Sequence, residues 1–369
     1  MQINKLQQLA KIGQSVWLDY IERGFLESGG LDRYVKMGLR GLTSNPAIFQ
    51  KAISNSNFYD DDIRQLALEG KSAQEIYERL AIKDIQTAAK ILTPVYEKTD
   101  GKDGYISMEV NPYLAHETKA TIDEARRLTK AINMPNIMIK VPATAEGLLA
   151  IQTLTEEGFN INVTLMFSIS QYDLVASAYR SGLEARAKQS NGLDSIASVA
   201  SFFVSRIDSK VDPLLDEIDI EEAQALKGKI GIANAKIAYQ HFNNNFSGEQ
   251  WAQLTKKHAR PQRVLYGSTS TKNPSYPDTL YVDQLIGPET VNTLPPDTLD
   301  AFLDHGTVDN TLEKDVEEAR LQLKQLEAVG IQLDDITRQL LVEGIDKFKA
   351  PYDKLIKTIT EKQASFLNA

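Results

Sequence analysis

Apolar residues along this chain fall into two rhythms. Short unbroken runs, such as Ile137-Met-Ile, alternate with longer stretches whose apolar positions recur at helical spacing, as at Ile63, Leu66, Ile76, Leu80 and Ile85. The first kind reads as strand buried on both faces, the second as helix laid against it. On this basis residues 3–12 form a short amphipathic helix, and Ser15-Val-Trp-Leu-Asp opens a first strand ending near Asp19. Residues 34–37 approach a second strand, Gly38-Leu-Arg-Gly-Leu-Thr-Ser-Asn, which Pro46 closes. A helical stretch then runs to about Pro94. The turn Thr99-Asp-Gly-Lys-Asp-Gly leads into a third strand, Tyr105-Ile-Ser-Met-Glu-Val. Helix 116–131, strand 136–142, helix 144–157, strand 160–167 and helix 170–190 follow. A sixth strand is expected at 195–203 and a long helix within 221–243. Arg263-Val-Leu-Tyr-Gly forms a seventh strand, and Thr290-Val-Asn-Thr-Leu an eighth, stopped by Pro295-Pro296. Helices fill most of 310–366.

Strands that alternate with helices predict parallel pairing through crossovers. Eight such units in 369 residues favour a closed (β/α)8 TIM barrel over an open doubly wound sheet. No glycine-rich dinucleotide fingerprint follows the first strand, which argues against the open sheet, and a nicotinamide-dependent oxidoreductase on a barrel has no positive sequence support. One barrel domain over 1–369, with additional helices at the termini and C-terminal helices over about 310–369, is the simplest parse.

The charge balance narrows the partners. A net charge of −9, from 41 basic and 50 acidic side chains, argues against nucleic acid and leaves room for a local basic pocket. The chain has no cysteine, hence no disulfide, thiolate metal site or cysteine nucleophile. That usage fits a reducing compartment, and a cytoplasmic location is expected. Residues 1–13 are polar and lack the apolar centre of a secretory signal. No apolar run is long enough to span a bilayer, so no membrane partner is expected. His116, His241, His258 and His305 are scattered, without metal-ligand spacing. Asp60-Asp61-Asp62 reads as a solvated helix face, since the glycine and spacing of a calcium loop are missing. Neither a metal nor a cofactor is expected, and the chain is read as a monomer or homodimer.

Candidate chemistry collects where the strands end. Residues i and i+2 of a strand share a face. Thr43 and Asn45 therefore pair up at the end of strand two, Ser107 and Glu109 on strand three, and Asn162 and Thr164 on strand five. Asp19 ends strand one, and Lys140 breaks the apolar run of strand four before Pro142 stops it. Ser201 lies on strand six with Arg206 just after it. Strand after strand is apolar early and polar late, and the C-terminal mouth of such barrels carries the chemistry. Taken singly, each polar residue also fits a wet strand end, and Lys140 a snorkelling surface lysine. Asp19, Glu109 and Lys140 converging from three strands suggest a nucleophilic amine with acid/base partners. Arg206, with Ser268-Thr-Ser-Thr-Lys272 after strand seven, offers cations, hydroxyls and backbone N–H groups for a phosphate, although the Ser/Thr run alone also fits an ordinary turn.

These segments resemble transaldolase. Gly41-Leu-Thr-Ser-Asn-Pro-Ala-Ile-Phe is similar to the family's first signature. Ile137-Met-Ile-Lys-Val-Pro-Ala-Thr with Asn162-Val-Thr-Leu-Met-Phe-Ser is similar to its second, the lysine region. Ser107-Met-Glu-Val and Ser201-Phe-Phe-Val-Ser-Arg-Ile-Asp match in order and spacing, and the length suits the longer bacterial subgroup. Two departures stand out: Lys272 in a slightly longer loop where many members have an arginine, and Asn111 where an aspartate is common.

The resemblance implies a site and a reaction. Lys140 would form the Schiff base. Asp19 would act as acid/base on the hydroxyl at the breaking bond, and Glu109 with Thr164 and a water would move protons during imine formation. Asn45 and Asn162 would hold hydroxyls of the three-carbon unit, with Thr43 and Ser201 lining the site, and Arg206, Ser270 and Lys272 would meet the phosphate. The implied activity moves a dihydroxyacetone unit from sedoheptulose 7-phosphate to glyceraldehyde 3-phosphate, giving erythrose 4-phosphate and fructose 6-phosphate in the non-oxidative pentose phosphate pathway. The sugar phosphates would be the only partners the reaction needs. Two other readings keep the same pocket: a class I fructose 6-phosphate aldolase that releases dihydroxyacetone, and a sugar-phosphate-binding barrel without catalysis.

Overall fold

The computed structural model describes residues 3–189 and 192–367. Its strands are β1 (Gln14–Asp19), β2 (Gly41–Thr43), β3 (Tyr105–Glu109), β4 (Ile137–Pro142), β5 (Ile161–Met166), β6 (Ser198–Phe203), β7 (Arg263–Gly267) and β8 (Thr290–Leu294). All pair in parallel and in chain order, and β8 returns to β1 to close a barrel. This is the (β/α)8 barrel that the alternation predicted, with further helices before β1 and after β8.

The barrel's lower end is filled by its own side chains. Trp17, Tyr105, Met138, Val199, Leu265 and Val291 form one buried cluster. Trp17 stands opposite Gly41 in the β1–β2 register. A Cβ on Gly41 would lie 2.5 Å from the indole, so only glycine lets the ring in. With this end plugged, open space remains at the strands' C-terminal ends.

Several boundaries differ from expectation. Residues 34–37, read as the approach to a strand, close the helix Gly30–Met37, in which Leu31 and Tyr34 are buried and Gly38 (φ 118°) makes the exit. The second strand shrinks to Gly41–Thr43, because Asn45 caps the helix Pro46–Asn55 and so leaves the sheet. The helical stretch divides into Pro46–Asn55, Asp60–Leu68 and Ala73–Lys98, and Pro94 lies inside the last of these. The helix expected at 170–190 is Ile169–Lys188; its predicted end at Ser190 lies outside the described residues. The expected 221–243 helix is two, Glu221–Gln224 and Ile230–Asn245. The pattern did not single out Ser205–Asp216, Gly248–Thr255 or Pro296–His305.

The last helix, Leu333–Leu367, lies across the mouth. Its seat is built by a bulge in β5. Leu165 takes a left-handed φ of 62°, and the β5–β6 register shifts between Val163 and Met166. Such a bulge re-aims a side chain. Leu165 joins Phe167, Ile207, Leu340, Ile345 and Phe348 in one apolar cluster. Gly344 makes the approach possible, since a Cβ there would stand 2.9 Å from Leu165 Cδ2. The helix is thereby tied to the strand that carries Thr164.

Candidate active site

Strand register sets the site. Glu109 pairs with Lys140 across β3–β4, Lys140 with Asn162 across β4–β5, and Asp19 with Thr43 across β1–β2. A cavity of about 350 Å³ opens above them. Asp19, Thr43, Asn45, Lys140, Thr164, Ser201, Arg206, Ser270 and Lys272 all line it. Glu109 and Asn162, singled out with them, do not. Asn162 is fully buried, donating to Ser107 Oγ at 3.0 Å and accepting from Ser201 Oγ at 2.7 Å. Glu109 borders an adjoining hollow with Tyr77, Asn111 and Tyr352, yet its carboxylate reaches Lys140.

The Lys140 side chain is only 6% exposed. Its Nζ donates to the Ser44 carbonyl at 3.1 Å and stands 3.6 Å from Glu109 Oε2, too long for a hydrogen bond. That carboxylate oxygen is buried without a hydrogen-bond partner, so the space between it and the amine suits a small polar group. Phe348 of the last helix covers the amine, with Nζ 5.8 Å from the ring centroid. Burial raises the pKa of both Glu109 and Asp19, and the charge of Lys140 opposes the rise in each. Asp19 Oδ1 accepts from the Thr43 hydroxyl at 2.6 Å. A hydroxyl has one proton, so Thr293 Oγ1, 2.7 Å away, donates to Thr43 in turn.

The other side of the cavity is cationic. Arg206 enters at the start of the helix Ser205–Asp216, and its guanidinium stacks 5.1 Å from the Phe203 ring centroid. Its Nη1 is buried without a hydrogen-bond partner, and burial lowers its pKa. Desolvation, and then the charge of Arg206, lowers the pKa of Lys272 as well. Lys272 Nζ donates to Ser270 Oγ at 2.5 Å. Two neighbouring cations, one with a buried donor left over, suit an anion.

Some signature residues turn out to be helix caps. Asn45 Oδ1 accepts from Ile48 N at 3.1 Å, and Pro46 takes the first helical position. The Nδ2 hydrogens of Asn45 and the second lone pair of its Oδ1 stay open to a ligand. Thr144 and Ser168 cap the helices Ala145–Glu157 and Ile169–Lys188. The sequence reading missed Lys51, Phe203, Thr293 and Phe348, which also line the cavity. Thr293 was findable: the rule of polar residues at late strand positions, applied to β8, selects it. Phe348 had no local signal.

Fold and cavity define a closed (β/α)8 barrel whose mouth holds a buried lysine near two carboxylates, facing a cationic recess. The chain matches the family described as Transaldolase/Fructose-6-phosphate aldolase over residues 16–359, and it belongs to that family. It is 50% identical to a protein named "Transaldolase" from Trichodesmium erythraeum over 373 aligned positions, with 98% of each chain covered. It is 45% identical to "Transaldolase" from Thermobifida fusca and 45% identical to "Transaldolase 2" from Nostoc punctiforme, again over 98% of each chain. Among the described residues no helix is long and apolar enough to cross a membrane.

Proposed function

We propose that this chain is a transaldolase that carries a dihydroxyacetone unit from sedoheptulose 7-phosphate to glyceraldehyde 3-phosphate as an adduct on Lys140. The observation that carries the reading is the Lys140 amine, buried at the mouth and 3.6 Å from the Glu109 carboxylate. The amine attacks the ketone carbon of the donor, and the new carbinolamine hydroxyl lies beside Glu109. Glu109, with the Thr164 hydroxyl and a water, delivers the proton with which that hydroxyl leaves as water. Burial raises the pKa of Glu109, which keeps a proton available for this step. Thr164 Oγ1 is buried and has no partner of its own, as a hydroxyl awaiting substrate or water would be.

The resulting iminium draws electrons from the adjacent carbon–carbon bond. Asp19 takes the proton of the hydroxyl at the carbon being released, that bond breaks, and an aldose phosphate departs. The enamine left behind adds to the second aldose phosphate, and the steps reverse. Thr43 and Thr293 orient Asp19 through the hydroxyl relay. Arg206, Lys272 and Ser270 meet the phosphate, and Asn45 and Ser201 the hydroxyls of the retained unit, with Asn162 holding Ser201 through its Oδ1. Phe203 and Phe348 wall the cavity with apolar surface, which protects an enamine from protonation by water.

Borohydride reduction in the presence of fructose 6-phosphate tests the reading. Wild type is expected to gain a stable adduct located on Lys140 by mass spectrometry. Lys140→Ala is expected to form none and to lose at least about a thousandfold in turnover. An adduct on another lysine, or full activity in the variant, would overturn the assignment.

A further inference from the structure

The anion recess is made of two pieces of chain that share no element. Arg206 lies in the first turn of the helix Ser205–Asp216, whereas Ser270 and Lys272 lie in the connection that follows β7. A phosphate held by both needs their spacing fixed to a fraction of an ångström, and connecting loops do not fix spacing by themselves. The geometry points to Asp212 and Tyr276, both outside the cavity, as the positioning pair that sets this spacing.

The helix that carries Arg206 in its first turn also carries Asp208 and Asp212 one turn apart, and both are buried. Each carboxylate accepts from one tyrosine hydroxyl and one glycine N–H. Asp212 Oδ2 accepts from the Tyr276 hydroxyl at 2.8 Å and its Oδ1 from the Gly228 N–H at 3.0 Å. Asp208 Oδ2 accepts from the Tyr281 hydroxyl at 2.9 Å and its Oδ1 from the Gly231 N–H at 2.7 Å. Both tyrosines belong to the connection after β7, and Tyr276 follows Lys272 by one short turn. Both glycines flank the start of the helix Ile230–Asn245. The carboxylates therefore bolt the arginine's helix to the lysine's loop and both to a third element. Packing adds to the bond at Tyr276: a Cβ on Gly228 would stand 2.8 Å from its ring. A buried carboxylate with two donors is a stiff joint, since losing either strands a charge. Tyr281 is buried within the core and serves the fold, whereas Tyr276 is half-buried at the loop itself.

This inference rests on the phosphate-binding reading of the recess. The test is Tyr276→Phe, which removes one hydroxyl and keeps the ring against Gly228. With glyceraldehyde 3-phosphate as acceptor, KM is expected to rise at least fivefold with kcat within twofold of wild type. With unphosphorylated glyceraldehyde, kcat/KM is expected to stay unchanged. The dissociation constant for inorganic phosphate, measured by calorimetry on the same protein, is expected to weaken by the same factor. An unchanged phosphate constant, or a parallel loss with both acceptors, would overturn the role. The phosphate titration needs no turnover, so a failure of the transaldolase reading shows separately, as a missing borohydride adduct in wild type. Asp212→Asn, read the same way, takes over if the tyrosine variant does not fold.

Discussion

Two arginines, one at each end of the barrel, are treated in opposite ways. Arg263 starts β7 at the plugged end and is 5% exposed. Its Nη2 donates to Asp103 Oδ1 at 2.9 Å and to the Lys102 carbonyl at 2.6 Å, and its Nη1 to Ser15 Oγ at 3.0 Å. Ser15 completes the ring by donating to Asp103 Oδ2 at 2.8 Å. Arg206 at the mouth is half-buried, yet it makes no ion pair among the described residues, and its buried Nη1 has no hydrogen-bond partner. A buried charge costs several kcal/mol unless something nearby compensates it. At the lower end the protein supplies the compensation, so the charge is part of the fold. At the mouth it is withheld, and the natural source is an anionic ligand.

The comparison breaks first on stability. Arg263→Met strands Asp103 in the core and is expected to lower unfolding free energy by about 3–5 kcal/mol in denaturant titrations. Arg206→Met removes an uncompensated charge, so its stability is expected to equal or exceed that of wild type. Its cost falls on catalysis: kcat/KM for phosphorylated substrates should drop by about 10²–10³, the size of a lost buried charge contact. A matched loss of stability in both variants would show that the two arginines do the same work.

A smaller effect sharpens the same contrast. A ligand that binds only the folded state stabilises it by about 2.7 kcal/mol at a hundred times its dissociation constant. Inorganic phosphate is therefore expected to raise the Tm of wild type in a concentration-dependent way. Arg206→Met should lose that increment, and Arg263→Met should keep it on a lower baseline. A rise that survives in Arg206→Met would place the anion elsewhere.

How far the sequence reached follows from the same division. The eight strands were legible because a strand buried on both faces leaves an unbroken apolar run, and the switch to polar residues marked its mouth end. Lys140, Asp19 and Arg206 were legible as charges at the ends of such runs. The helix Gly30–Met37 was not read as one, because Tyr34 and Val35 sit next to the strand-like Gly38-Leu and no cap residue precedes Gly30. Asn45, Thr144 and Ser168 show a further limit: a polar residue at a strand's end serves a cavity or caps the next helix, and Asn45 does both. Phe348 was out of reach because it arrives from a helix far along the chain, seated by a left-handed Leu165 that composition does not announce.

Asp208 is a further ionisable group held inside the fold, intermediate between the two arginines in its compensation, and it gives the smallest expected effect. Its bonds to Tyr281 and to the Gly231 N–H favour the ionised form, but burial dominates, with Asp212 adding repulsion, and the pKa is pushed up to about 7. The groups facing it are Asp212, Tyr276 and Tyr281, with the N–H groups of Ile230 and Gly231. Between the unfolded carboxylate range and pH 7 the folded protein thus binds a proton that the unfolded chain does not. Stability from this group rises as pH falls through 7 and is lost again as pH climbs above it. From pH 8 to pH 6 the gain is about 1.4 kcal/mol, one proton's worth over the window. Asp208→Asn keeps an oxygen for Gly231 and an amide for the Tyr281 oxygen, and it does not titrate. The difference in unfolding free energy between wild type and this variant should therefore shift by about that amount in favour of wild type at pH 6, because other titrating groups cancel in the subtraction. A difference flat in pH would mean that Asp208 stays ionised throughout, its two donors having offset its burial as the partners of Arg263 do at the other end.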